Sequence, residues 1–568
     1  MRVRKTTQGL TVRAIAGSHV VLLGFDMKRA ACNHLLGFGI HRTDHTENES
    51  YWLAGLKTFK STDPGFAPGT ARYPTNKHPI QGFTWSDFSA KPGHRYTYRV
   101  VALKGTPDVP TIVARVDVIV TTEAEDAGNH DVYFNRGAAA SQEYARRFGS
   151  QRPDENNPDD KRWAWLSRGA AEAIEAFIAR ATGTGWSVRV AAYEFRLDQL
   201  GGWLKDAKDR GVDVKVLYDG NNNRPDPDGG VFPRDANRAC ARAARIKGLC
   251  KERVTRDDVK DPPIAHHKFI VLLKNGAPQA VLTGSTNFSL GGVFGQSNAV
   301  HIVEEEDIAR SYFDAWTAIA ANPDHGQLRD AFSSSNQLPA DKPPLGTCVI
   351  MSPQRTLEAL DWYAKLALET PGALFMTFAF GINKKFLPAF ENGAAPLRYA
   401  LLDKLLPPGT KKALRPAAEK AMRDLRFKQE NRFAVGNRLI TNTFDRWVRE
   451  SLTGLNSHVQ YIHTKFMLID PLGDDPIVIT GSANFSDAST TENDENMLVI
   501  RRNLRVADIY LGEYMRLWNH YAFREWAAAH AGETEPRFKY LDETNSWWKE
   551  YFGNTARSRQ RKYFAGVR

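Results

Sequence analysis

The residues best suited to chemistry occur in two copies of one pattern, 197 residues apart. The first copy is H-H-K-F-I-V-L-L from His266, followed by T-G-S-T-N-F-S at 283–289. The second is H-T-K-F-M-L-I-D from His463, followed by T-G-S-A-N-F-S at 480–486. A single H-x-K or G-S-x-N is usually a strand end or a turn, but two copies at matched spacing indicate a duplicated unit. The repeated polar residues are therefore the first candidates for a functional site.

These polar side chains form a set that suits transfer at phosphorus. They are His266, His463, Lys268, Lys465, Ser285, Ser482, Asn287 and Asn484. The lysines and asparagines can bind the non-bridging oxygens of a phosphodiester and the charge that grows on them in the transition state. One histidine can attack phosphorus while the other protonates the leaving oxygen. Because fixed ammonium groups can supply the positive charge, we predict neither a metal nor any other cofactor.

Two strands in each copy must position these groups. H-x-K opens an apolar run typical of a buried strand, and residues i and i+2 of a strand project from one face. A second apolar run follows and ends in Gly-Ser-x-Asn, where glycine permits a sharp turn. We predict that the two copies face each other about a pseudo-twofold axis, with the imidazoles of His266 and His463 about 4–7 Å apart.

At these residues the chain resembles the phospholipase D superfamily, whose mark is two H-x-K-x4-D motifs, each followed by G-S-x-N. The second copy matches fully at His463, Lys465, Asp470, Gly481, Ser482 and Asn484, whereas Leu273 replaces the aspartate of the first. The resemblance covers roughly residues 130–530. It implies a phosphohistidine intermediate, with His266 as nucleophile and His463 as general acid.

The resemblance also implies an acidic residue downstream that orients the motif histidine. Glu495, in N-D-E-N, fits that place for the second copy, and with Asp470 it makes His463 the better supported histidine. In the first copy the similar stretch is 295–298, so Gln296 or Ser297 is expected to substitute.

The predicted fold class is α/β, with two pseudo-symmetric α/β/α halves sharing one site and an all-β sandwich before them. Short apolar runs separated by turn residues predict the sandwich in 1–123, and residues 83–100 resemble the later strands of a fibronectin type III-like module. The halves are predicted at 130–330 and 347–535, with a linker at 331–346 and insertions at 221–262 and 405–455. A basic C-terminal tail follows at 536–568.

Helices and strands are predicted to alternate in each half, because apolar residues recur at helical spacing between short apolar runs. The predicted helices are 163–181, 200–210 and 356–369, and the predicted strands are 188–193, 212–218, 373–380 and 397–402.

Composition bears on compartment and partners. The 568 residues lack an apolar run long enough for a transmembrane helix and a signal-peptide pattern, so a cytoplasmic location is expected. Four cysteines are too few for a disulfide scaffold, and free thiols are expected. The net charge of +11 attracts nucleic acids and anionic membranes alike. Five basic residues in 557–568 and a Lys/Arg-rich insertion favour nucleic acid.

Three functions remain open on the sequence. The favoured one is a metal-independent nuclease acting on DNA or RNA. The second is a phospholipase D-type reaction on phospholipids, for which residues 386–390 and 401–406 could form an apolar entrance. The third is a non-catalytic protein that binds phosphate polymers, which only Leu273 supports. The sequence leaves the oligomeric state undetermined.

Overall fold

The computed structural model describes residues 1–64, 73–225, 231–255, 263–336, 338–339, 341–407, 410–436, 461–530 and 540–567. Parts of both predicted insertions, of the linker and of the C-terminal tail therefore lie outside the described residues.

The N-terminal region is a sandwich of two antiparallel sheets, ordered β1-β2-β3-β8 and β10-β9-β4-β5, with β6 and β7 as a small separate pair. The strands are β1 (Arg2–Thr7), β2 (Leu10–Ala16), β3 (Val21–Met27), β4 (Gly37–Asp44), β5 (Glu49–Trp52), β6 (Ala54–Gly55), β7 (Tyr73–Pro74), β8 (Thr84–Asp87), β9 (Arg95–Gly105) and β10 (Pro110–Thr121). Alternate residues of β10 are buried, as expected for a sheet with one face on the core and one face exposed to solvent. The all-β prediction is confirmed, while kinship with fibronectin type III modules stays a prediction.

The first half is an eight-stranded mixed sheet flanked by helices. Its strands are β11 (Asp126–Ala127), β12 (His130–Phe134), β13 (Trp186–Ala192), β14 (Asp213–Asp219), β17 (Cys250–Arg253), β18 (Lys268–Lys274), β19 (Ala277–Gly284) and β20 (Ala299–Val303), with a β15 (Arg224–Pro225) and β16 (Val231–Phe232) hairpin outside the sheet. Its helices are α1 (Ser141–Phe148), α2 (Lys161–Ser167), α3 (Ala170–Ala179), α4 (Asp198–Asp209), α5 (Arg234–Ala243), α6 (Glu306–Ala320) and α7 (His325–Ser335).

The second half is a seven-stranded sheet. Its strands are β21 (Gly346–Ser352), β22 (Ala373–Phe378), β23 (Leu397–Leu402), β24 (Asn431–Val435), β25 (Phe466–Ile469), β26 (Ile477–Gly481) and β27 (Glu495–Arg501). Its helices are α8 (Glu358–Glu369), α9 (Leu387–Asn392), α10 (Arg415–Phe427), α11 (Asp487–Thr491) and α12 (Leu504–Ala529). A last helix, α13 (Ala556–Ala565), follows near the C-terminus.

The two sheets repeat one strand order. The first reads β12-β20-β19-β18-β13-β14-β17 after β11, and the second reads β21-β27-β26-β25-β22-β23-β24. Each position in one sheet therefore has a counterpart in the other, which confirms the predicted two-half α/β architecture. Helix α12 is buried over most of its length and contacts β12 of the first half and β24, β25 and β26 of the second.

Two predicted boundaries differ from the structure. The helix predicted at 163–181 is two helices, because Arg168 and Gly169 both adopt positive φ and break it. The predicted linker starts too early, since α7 continues to Ser335 behind a capping box at Asp324.

The predicted basic tail is packed against the body of the protein. Trp547 and Trp548 complete the core of the sandwich, and α13 crosses β3 so closely that a Cβ on Gly24 would lie 2.4 Å from the Phe564 carbonyl carbon. Arg561 is buried, contacts Asp26 and lies over the ring of Phe552. The described part of this basic segment therefore belongs to the folded body of the protein.

All four cysteines are free, as expected. Among the helices of the described residues, none combines the length and the apolar character needed to cross a bilayer.

Candidate active site

The ends of β18 and β25 bring the two H-x-K motifs together. Lys268 is the first residue of β18, and Lys465 directly precedes β25. The rings of His266 and His463 are buried, with centroids 6.4 Å apart and planes at 79°. The predicted shared site, with a separation of about 4–7 Å, is confirmed.

Each histidine is oriented by the opposite half. His266 Nδ1 donates to Glu495 Oε2 at 2.8 Å, and His463 Nδ1 donates to Asn298 Oδ1 at 3.0 Å. The prediction that Glu495 supports His463 is therefore wrong, as is the choice of Gln296 or Ser297 in the first half. Each orienting residue contacts the histidine of the other half, because Asn298 directly precedes β20, Glu495 opens β27, and the starts of these strands lie at the interface between the halves. With Nδ1 held, each ring has its Nε2 atom left for chemistry.

Asn298 is a site residue that the sequence reasoning missed. It precedes β20 as Glu495 opens β27, and the two positions are separated by the repeat offset of 197 residues. Applying that offset strictly, instead of comparing similar letters, would have found it.

The serines of the G-S-x-N segments hold these orienting residues in place. Ser285 Oγ donates to Asn298 Oδ1 at 2.8 Å and accepts from the amide of Ala299 at 3.0 Å. Ser482 Oγ accepts from the amide of Asn496 at 3.0 Å. Both serines are buried in the interface and position the residues that hold the imidazoles.

The glycines before them are fixed by close backbone contact. A Cβ on Gly284 would lie 2.3 Å from the carbonyl oxygen of Ala299, and one on Gly481 would lie 2.2 Å from that of Asn496. No other residue fits there without displacing the neighbouring strand.

The two lysines are buried beside the imidazoles. Lys268 Nζ donates to the carbonyl of His266 and Lys465 Nζ to that of His463, each at 2.6 Å. Burial lowers the pKa of Lys268 to about 7, against the opposing influence of Glu495 and Glu194. Burial, and next the charge of Lys268, hold the pKa of Lys465 well below its usual range. A bound phosphate would supply the counter-charge that this pair lacks.

The remaining titratable groups respond to the same burial. The pKa of each imidazole lies well below 6.5, first because of burial and then because of the two lysines. Burial raises the pKa of Glu495 to about 7. Glu194, a buried residue just beyond β13 that the sequence reasoning also missed, lies close enough to influence both lysines.

The two asparagines complete the set. Asn287 and Asn484 are buried or nearly so at the ends of their turns, and the Oδ1 atom of each has no hydrogen-bond partner among the described residues. Each unpaired Oδ1 suits a ligand that donates a hydrogen bond, whereas a phosphate oxygen would accept from the Nδ2–H groups of these amides.

Asp470 lies away from this site. It follows β25 at the end opposite His463, where Arg2 donates to the carbonyls of Pro471 and Gly473. Burial raises the pKa of Asp470. The predicted catalytic involvement of Asp470 is not supported, because strand β25 separates it from the imidazoles.

Among the described residues, no group of three or more metal-ligating side chains lies at the site. Within the residues that the structure covers, one group of three side chains could hold an ion, namely Asp44, Glu47 and His94 of the sandwich. In that group His94 Nδ1 donates to Asp44 at 2.9 Å, and Glu47 pairs with Lys91.

A protein-family model described as "Cardiolipin synthase, PLD-like domain" matches residues 174–316 and 422–518. Each matched segment contains one H-x-K and one G-S-x-N, the two motifs that meet in the site. The chain belongs to the phospholipase D superfamily. Its superfamily motifs supply the paired histidines, lysines and asparagines described above.

Individual relatives of this superfamily member are distant. A phospholipase D of Rickettsia conorii is 28% identical over 113 residues, which are 20% of this chain and 46% of that protein. A phospholipase D of Rickettsia bellii is 27% identical over 130 residues, 23% of this chain and 55% of that protein. The chain thus spans about half the length of the curated relatives it matches. A phosphatidylserine synthase structure from Haemophilus influenzae aligns over 62% of this chain and 84% of its own, at 13% identity and a TM-score of 0.41.

Proposed function

We propose that the protein is a phosphodiesterase that acts through a phosphohistidine on a nucleic acid substrate. The observation that carries the proposal is the pair of buried imidazoles, 6.4 Å apart, each fixed through Nδ1 by the other half. A phosphorus atom between the rings lies within reach of both Nε2 atoms. Non-catalytic phosphate binding would not need two imidazoles oriented in this way.

In the first step His266 Nε2 attacks phosphorus and the bond to the leaving oxygen breaks. His463 enters this step as the imidazolium, beside the negative charge of the phosphate, and donates its Nε2 proton to that oxygen, which departs as an alcohol. Lys268, Lys465 and the amides of Asn287 and Asn484 bind the non-bridging oxygens. In the second step His463 removes a proton from water, the water oxygen attacks phosphorus, and the P–N bond to His266 breaks.

The unequal orienting residues support this division of roles. Glu495 is a carboxylate, so it stabilises the positive charge that His266 acquires as the phosphohistidine forms. Asn298 is a neutral amide, so it holds the tautomer of His463 without binding its proton more tightly. The nucleophile therefore has the charged partner, and the general acid has the neutral one.

Exposed cations near the site favour a nucleic acid. Lys384, which is 78% exposed, borders a cavity beside Lys465, and the exposed Lys411, Lys412 and Arg415 follow Pro407 of the cavity wall in sequence. Such a group of cations attracts a polyanion that extends beyond the reacting phosphate.

The residues expected to form an apolar entrance for a phospholipid differ in exposure, and Leu387, Leu405 and Leu406 are half-buried. Phe386, Phe390, Leu401 and Leu402 are buried in the core. These four are therefore not available to receive acyl chains, which weakens the phospholipid alternative.

The first experiment offers the purified protein single-stranded DNA, duplex DNA, RNA and mixed phospholipid vesicles, with and without excess chelator. We expect cleavage of a nucleic acid, unchanged by chelator, and weaker binding as salt rises, because each neutralised phosphate releases a counterion. Release of head groups with no cleavage of nucleic acid would contradict the substrate assignment. Loss of activity on chelation, restored by one divalent ion, would contradict the chemistry.

A pH profile tests the role of Lys268. Its pKa of about 7 means that the free enzyme loses this cation as the pH rises through neutrality, so kcat/KM should fall on the alkaline side. In Lys268→Arg we expect a lower maximum and a less steep alkaline fall, because guanidinium stays protonated while the deprotonation of His463 remains. An unchanged alkaline limb in this variant would assign the titration to another group.

A further inference from the structure

The two walls of the site differ at one equivalent position. In the first half Ala192 pairs with Lys268. In the second half Met376 pairs with Met467, so the same register places Phe378 opposite Lys465. Continuing both antiparallel ladders places Tyr193 and Ala379 at equivalent positions of the repeat. Tyr193 indeed donates its backbone amide to the carbonyl of His267 at 2.9 Å.

In the first half the tyrosine ring fills this position. The centroid of Tyr193 lies 4.8 Å from that of His266, and Lys268 Nζ lies 5.3 Å from the centroid of Tyr193. Phe232 packs on its other side at 5.1 Å, and the guanidinium of Arg196 covers Phe232 at 4.6 Å.

In the second half Ala379 leaves this space open. A cavity of about 370 Å³ lies there, which we call the Ala379 pocket. Its walls include Phe378, Phe380, Phe485 and Pro407, and it reaches Lys465 and Asn484 of the catalytic set. Lys384, which is 78% exposed, stands at its border.

The dimensions and charge of the pocket restrict what it can bind. A volume of about 370 Å³ is at the small end of ligand sites, so it accommodates one compact ring system and not a pair of acyl chains. Aromatic walls suit a flat group. The charged residues lining it are Lys465 and Lys384, and Lys384 lies 3.9 Å from the Asp487 carboxylate outside the lining. No carboxylate is among the described lining residues, so a cationic head group is disfavoured.

We propose that the Ala379 pocket binds the nucleobase of the leaving nucleoside. This inference rests on the proposed function, in which His463 of the same half protonates the leaving oxygen. The phosphate held by Lys465 and Asn484 then lies beside the pocket, and the adjoining base stacks against its aromatic walls. The first half offers no equivalent space because Tyr193 occupies it, so recognition of bases is one-sided.

The test uses single-stranded oligonucleotides in which only the central linkage is an ordinary phosphodiester and the others are hydrolysis-resistant phosphorothioates. One substrate lacks the base on one side of that linkage, and a second lacks it on the other side. The leaving nucleoside belongs to the product that carries a hydroxyl, and not a phosphate, at the cleaved linkage. Removing its base should lower kcat/KM by about 5- to 100-fold, as expected for loss of one stacked base, whereas removing the other base should change it little.

Ala379→Tyr should reproduce the first-half arrangement and close the pocket. We expect this variant to cleave the complete substrate as slowly as the wild type cleaves the substrate that lacks the leaving base, and to cleave the latter at the wild-type rate. Ala243→Tyr is the matched control, because it makes the same change at an exposed helix residue that does not line the pocket. The thermal unfolding midpoint of each variant is measured alongside.

The outcomes separate this inference from the proposed function. Cleavage with equal effects of base removal on the two sides, or with the larger effect on the retained side, would overturn the assignment of the pocket while leaving the nuclease intact. If Ala379→Tyr does not fold, the wild-type comparison of the two substrates still decides. Failure to cleave any oligonucleotide would overturn both proposals.

Discussion

Replacing His266 by asparagine is expected to lower kcat by at least about 10⁴-fold, because the nucleophile is lost and no neighbouring group can replace it. The asparagine amide can keep a hydrogen bond to Glu495, so the fold should survive. The measurement is steady-state hydrolysis of the best substrate found in the panel. His34→Asn is the matched control, since His34 is an exposed sandwich residue with φ of 60°, a conformation that asparagine tolerates.

The companion variant His463→Asn separates the two steps. A p-nitrophenyl phosphodiester has a leaving group that needs little protonation, so the first step should proceed without a general acid. The second step needs His463 to remove a proton from water, so the phosphorylated enzyme should accumulate. Peptide mapping is expected to find the phosphate on His266. A phosphopeptide in the His266→Asn variant that contains His463 would reverse the roles.

The second large effect is expected in stability, at a buried ion pair that joins the halves. Arg253 Nε donates to Asp494 Oδ2 at 2.8 Å, and both side chains are almost fully excluded from solvent. The backbone amide of Asp494 also donates to the carbonyl of Ile264, just before the first H-x-K. Asp494→Asn should lower the free energy of unfolding by about 3–5 kcal/mol, because it leaves the arginine charge buried without its counter-charge.

Urea unfolding followed by tryptophan fluorescence measures this effect. In the double variant with Arg253→Met we expect part of the loss to be recovered, since no charge then remains buried. Asp424→Asn is the control, because Asp424 pairs with Lys420 on an exposed helix surface and should contribute less than about 0.5 kcal/mol. A loss at Asp494 no larger than that at Asp424 would show that the pair does not hold the halves together.

The sequence predicted the candidate catalytic residues because the repeat shows both identity and spacing. The strand periodicity then placed His266 beside Lys268 and His463 beside Lys465, and the structure brings all four together. It could not show that the orienting residues exchange partners. That exchange depends on how two sheets meet, and Glu495 lies 229 positions from the histidine it contacts. Glu495 lies closer in sequence to His463, but the packing of the two halves places it beside His266.

The misplaced residues share a cause. Asp470 completes a motif, yet a full strand separates it from the reacting groups, and its surroundings are set by Arg2 of the sandwich. Arg561 belongs to a basic run that is typical of a solvated terminus, yet it is buried against Asp26 and Phe552. Both depend on contacts between segments at opposite ends of the chain, which no local pattern encodes.

The contribution of Trp547 and Trp548 to the sandwich core also bears on how the protein is made. The strands of the sandwich are translated long before Trp547 and Trp548, the aromatic side chains that complete their core. During synthesis the sandwich therefore exposes an apolar surface until these residues are translated. A chaperone that binds apolar surfaces has a long time to act there. A prematurely terminated chain would keep both H-x-K motifs and still expose this surface, which marks it for degradation.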